Sequence, residues 1–144
     1  MPVLRILMVI ALACAGTLDA VAPASAQETA PAAIATPAPA LKFSNRWRLE
    51  VSEGANNDGV LHFRVTPKDG SPVDINVPLK DGRGEDGCAR DIRDAFKAAL
   101  DSKLYKIEID DGEDVLVKKR SGPDFAIELV ESTVKGTRVT IDVE

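Results

Sequence analysis

The residues best placed to do chemistry form one acidic run, Asp110-Asp111-Gly112-Glu113-Asp114, set between two apolar alternations at 105–109 and 115–117. That pattern predicts a hairpin whose three-residue turn is Asp110-Asp111-Gly112, with Gly112 in the left-handed conformation such turns require. The matching register sets Ile107 opposite Val115, Tyr105 opposite Val117 and Glu108 opposite Asp114. Carboxylates directly across a strand pair repel. A hard, oxygen-seeking cation such as calcium would relieve them, with Glu108, Asp110, Asp111 and Asp114 as its ligands. The spacing matches no calcium-binding loop, however, and water together with Lys118, Lys119 and Arg120 offers a simpler compensation. Calcium is therefore the alternative reading of this hairpin, and no cofactor is expected otherwise.

Two other residues invite a chemical role. His62 is the only histidine, and alternation places it on the strand face opposite Leu61, Phe63 and Val65, which makes it a solvated surface residue. No motif brings a nucleophile to it: the chain has no Gly-x-Ser-x-Gly elbow, no His-Glu-x-x-His helix and no Gly-x-x-x-x-Gly-Lys loop. Cys88 stands at the start of a predicted helix, where the dipole favours a thiolate. Glu85, Asp86 and Asp91 around it disfavour that charge, and its position four before Ile92 puts it on the apolar stripe. It reads as a buried structural cysteine, with intermolecular pairing as the alternative. Trp47 and Tyr105 fall on core-facing positions and read as packing residues rather than a sugar platform. These readings together argue against an enzyme, which stands third after a binding domain and a cation-binding module.

The elements that must hold these residues follow from periodicity. Alternation of apolar and polar residues predicts strands at 46–53, 61–67 and 73–79, separated by the turn-forming runs 54–59 and 68–71. The period then changes to 3.6, because Cys88, Ala89, Ile92, Ala95, Phe96, Ala99 and Leu100 share one stripe of an amphipathic helix. Strand patterning returns in four runs around 105–109, 115–117, 125–129 and 139–143. The predicted fold class is α+β, an antiparallel sheet in the order βββ-α-ββββ. Its first three strands form a meander, and one helix covers one face of the sheet while leaving the other wet or available to a partner.

Upstream, Arg5 precedes the apolar run Ile6–Ala15, and Ala24-Ser25-Ala26 precedes Gln27. This predicts a cleaved signal peptide over 1–26 and an exported protein, periplasmic or secreted. The alternative is a lipoprotein anchored through Cys14. The apolar run is shorter than the roughly 20 residues that span a bilayer, so no transmembrane segment is expected in the mature chain. Residues 27–45 are rich in Ala and Pro and predict a linker, which leaves 46–144 as a single domain. Removal of 1–26 takes away one basic and one acidic residue, so 17 basic face 22 acidic residues. That balance opposes non-specific binding to nucleic acid or anionic lipid. It also leaves Cys88 as the one cysteine, so no intramolecular disulfide can form in that mature chain.

The run Val73-Asp74-Ile75-Asn76-Val77-Pro78, a glycine-bearing loop, Ala89, Ile92 and Ala95 on a helix, then Tyr105-Lys106-Ile107, Asp111-Gly112, Val115-Leu116-Val117 and Gly122 resembles the small ββαββ modules of phage tail-sheath and flagellar hook-associated proteins. The resemblance covers about half the chain. It implies a structural or interaction role without catalytic residues. The sequence thus predicts a small exported, non-catalytic binding or scaffolding domain whose partner is an envelope or extracellular protein, with nucleic acid excluded.

Overall fold

The computed structural model describes residues 40–144; the expected signal peptide over 1–26, Cys14 and most of the expected linker lie outside them. The predicted element order is observed: β1 (Arg46–Ser52), β2 (Gly59–Pro67), β3 (Val73–Leu79), α1 (Glu85–Ala99), β4 (Tyr105–Asp110), β5 (Asp114–Lys119), β6 (Phe125–Ser132) and β7 (Arg138–Val143). The class is α+β and the strand pairing antiparallel throughout.

The strands divide between two sheets, β4-β5-β1-β7 and β3-β2-β6. The expected β1-β2-β3 meander is therefore corrected: β1 pairs with β5 and β7, and only β2 and β3 form a hairpin. The physical cause lies in the turn after β1. Ala55 N–H donates to the Arg83 carbonyl at 2.8 Å and Asn56 N–H to the Lys135 carbonyl at 2.8 Å, while Gly82 N–H donates to Ala55 at 2.8 Å. These bonds pin the 53–58 loop to the 80–84 and 133–137 loops and carry the chain from one sheet to the other. Alternation reports which face of a strand is buried, not which neighbour it pairs with.

Each sheet turns its apolar face inward, so neither inner face is left wet. Trp47, Leu49, Val51, Val115 and Val117 from one sheet share a core with Leu61, Phe63, Val65, Ile75 and Phe125 from the other. Helix α1 packs on β3 and β4, which are an edge strand of each sheet, and closes that side with Cys88, Ala89, Ile92 and Phe96. Phe96 meets Phe63 edge to face, ring centroids 5.3 Å apart. Across the sheets, Trp47 Nε1 donates to the Phe125 carbonyl at 2.8 Å, and the Tyr105 and Phe125 rings pack edge to face at 5.1 Å. The folded unit also takes in residues whose composition suggested linker, because Ser44 and Phe125 exchange both backbone hydrogen bonds.

Candidate interaction surfaces

The acidic hairpin forms, with a different register. Ile107 pairs with Val117, Ile109 with Val115 and Asp110 with Asp114, leaving Asp111-Gly112-Glu113 as the loop. The expected pairings Ile107–Val115, Tyr105–Val117 and Glu108–Asp114 are thereby corrected. The shift moves the centre of the turn by one residue and preserves the inward faces, while adding Ile109 opposite Val115. Gly112 takes the predicted left-handed conformation, with φ +87°, and Asp111 joins it at φ +48°.

The like-charge conflict therefore falls on Asp110 and Asp114, with Glu50 of β1 next in the same row. It is relieved by a side chain that the sequence reading passed over. Arg48 of β1 bonds Asp114 with Nη1, reaches Asp110 with Nη2 at 3.1 Å, and sits 3.3 Å from Glu144. Asp114 is only 8% exposed, and its bond raises the Arg48 guanidinium pKa above its already high ordinary value. Glu108 stands apart, opposite Leu116, and is held by Lys106 and Lys118 at 2.6 Å each. Those two ammonium groups, Lys106 first, pull its carboxyl down to about 2. Asp111 lies in the exposed loop. Among the described residues, no three His, Cys, Asp or Glu side chains converge as metal ligands.

His62 occupies the predicted outer face of β2. Its Nε2 lies 3.1 Å from Asp74 Oδ1, which also accepts from Arg64 Nε at 2.8 Å. Arg64, and after it His62, hold the Asp74 carboxyl below the usual range. Cys88 is fully buried, with Sγ 3.5 Å from the Arg83 carbonyl and 3.9 Å from Thr137 Oγ1. Trp47 and Tyr105 are core residues, as expected. On the helix, Asp94 bonds its neighbour Arg93 and Asp91 bonds Arg83.

Opposite the helix, the sandwich is less completely closed. Strands β6 and β7 are edge strands of different sheets and lie side by side without pairing. Between them runs a shallow groove of ≈ 260 Å³, floored by Trp47, Ile127 and Ile141 and flanked by Leu41, Lys42 and Glu128. Residues 40–42 border it because the Ser44–Phe125 bridge aims the incoming chain along β6. β6 is irregular at its far half: Phe63 pairs with Leu129 and His62 with Glu131, so Val130 bulges out of register and is exposed. A bulge is one way of blunting an edge against indiscriminate pairing. The groove was not foreseen, because it arises from the split into two sheets. No protein-family model and no curated protein matches this chain.

Proposed function

We propose that this chain is an exported, non-catalytic binding domain of the envelope or extracellular space, which takes an extended apolar segment of a partner protein into the groove between β6 and β7. The observation that carries the reading is the groove itself: an apolar floor lying between two sheet edges that do not pair with each other. Edge strands accept extended segments through main-chain hydrogen bonds, and flanking apolar pockets then select side chains. At ≈ 260 Å³ the groove falls below the roughly 300–1,000 Å³ typical of small-molecule sites, a size suited to one or two side chains of a peptide. The resemblance of residues 73–122 to interaction modules supports the same class of role, and the signal-like segment 1–26 supports export. The cation reading of the hairpin has less support, because Arg48 already neutralises the carboxylates that would have called for calcium.

The test is a screen of extended peptides against the processed protein, followed by backbone amide shifts for those that bind. The proposal expects perturbed amides on 40–43, β6 and β7, and loss of binding in Ile141→Lys with the fold retained. Peptides that bind elsewhere, or bind Ile141→Lys equally well, would overturn it.

A further inference from the structure

The net charge conceals a segregation of charge along the strand axis. The register aligns Arg46, Lys118 and Lys106 across three neighbouring strands at one end, and Glu50, Asp114 and Asp110 at the other. The loops continue the trend. Segments 40–46, 67–73, 97–106, 118–125 and 142–144 meet at the first end, joined by bonds from Lys119 N–H to Asn45, Arg120 N–H to Leu104 and Lys68 N–H to Asp124. They carry nine basic against five acidic residues, whereas 50–59, 79–87, 110–114 and 131–138 at the opposite end carry eleven acidic against four basic.

The basic end is also where apolar surface is exposed. Leu41, Phe43, Leu104 and Val143 are each between 36% and 39% exposed, and they are four of the six large apolar side chains so exposed among the described residues. Lys42, Lys103 and Arg120 stand exposed among them and make no ion pair among the described residues, whereas Lys119 is held by Asp124 and Lys106 and Lys118 by Glu108. Apolar side chains mixed with cations that make no ion pair among the described residues form a surface suited to the headgroup region of an anionic bilayer, where apolar burial and charge attraction add.

We propose that this end docks the domain on an anionic membrane surface, with Leu41, Phe43 and Leu104 entering the headgroup layer and Lys42, Lys103 and Arg120 contacting lipid phosphates. The acidic end then points away from the bilayer. Leu41 and Lys42 also border the groove, whereas Phe43, Lys103, Leu104 and Arg120 do not, so the docking is tested at the latter four; it revises what the overall charge of −5 implied about lipid.

The test is sedimentation of the processed protein with vesicles of phosphatidylcholine alone and with vesicles rich in phosphatidylglycerol, at low and high salt. Binding is expected to the anionic vesicles only, and to weaken with salt. Lys103→Glu/Arg120→Glu should lower partition by about 25-fold or more, at about fivefold per cation near the surface. Leu104→Ser/Phe43→Ser should weaken vesicle binding while leaving any binding of inorganic polyphosphate unchanged. Asp111→Lys/Glu113→Lys, which alters net charge at the far end, should change partition little. Circular dichroism confirms that each variant is folded. Equal binding to both vesicle types, or none to either, overturns the proposal. So does an effect of Asp111→Lys/Glu113→Lys as large as that of the basic-end variant, because net charge alone would then be acting. Tight polyphosphate binding with no apolar dependence on vesicles would point to a soluble polyanion instead.

Discussion

Phe96→Ala tests whether α1 is the seal that joins the two sheets on the β3–β4 side. Phe96 is the largest of the four helix side chains buried there, is fully enclosed, and meets Phe63 edge to face at an interplanar angle of 73°. Removing a buried Phe costs about 3–5 kcal/mol, of which the aromatic pair accounts for about 0.5–1.5 kcal/mol. Of the other helix side chains buried there, Cys88 and Ala89 are small and Ile92 is itself fully enclosed, so little is free to fill the space and the upper part of that range is expected. At about 4–8 °C per kcal/mol for a domain of this size, the melting temperature should fall by more than about 12 °C. Urea unfolding followed through Trp47, the single tryptophan and a buried one, measures the loss directly. A double-mutant cycle with Phe63→Leu should return a coupling of about 0.5–1.5 kcal/mol. A loss below 1 kcal/mol, or no coupling to Phe63, would refute the packing described for the helix.

Four further outcomes follow from the same geometry. Gly136 and Gly112 both have positive φ, but an added Cβ at Gly136 would lie 2.4 Å from Asn56 Nδ2 and 2.6 Å from the Gly54 carbonyl, while at Gly112 the nearest atom is 3.5 Å away; Gly112→Ala should cost about 1–2 kcal/mol through backbone strain alone, and Gly136→Ala distinctly more, in the same urea titration. Arg48→Met should lower the melting temperature at neutral pH, and Asp114→Asn in that background should restore part of it; millimolar calcium should leave the parent unchanged, and a rise abolished by Asp114→Asn would restore the cation reading. Glu108 titrates at about 2 when folded, below the ordinary 4.5, so its contribution is present above the unfolded value and is lost as pH falls through about 2; acid titration of stability should show this loss in the parent and not in Glu108→Gln. Cys88 should react slowly with thiol reagents in the native protein and rapidly in denaturant, since it is fully buried.

The limits of the sequence reading fall at identifiable residues. Every element was legible, because alternation at 47–51, 61–65 and 73–79 and the 3.6-residue stripe through Cys88, Ile92 and Phe96 are local signals of burial. Sheet membership was not legible. It depends on the 53–58 loop docking onto Arg83 and Lys135, contacts between distant segments that leave no periodic trace. The hairpin register was missed by one step of the turn, since both registers bury the same faces and only the extra pairing of Ile109 with Val115 separates them. Arg48 was missed because alternation marks it as an ordinary outward residue; its role appears only once β1 lies beside β5. The groove and the polar charge distribution are likewise properties of strand order, and a total charge reveals neither.

On the proposed reading, the β6–β7 groove is where this domain meets a partner protein. Photo-crosslinking in the cell tests it, with the probe placed at Glu128 or Ala40 beside the groove and at Glu113 in the distant hairpin loop as control. One discrete protein adduct is expected from both groove positions, lost on Ile141→Lys, and none from Glu113. Adducts that form equally from Glu113, or that survive Ile141→Lys in a folded protein, would contradict it.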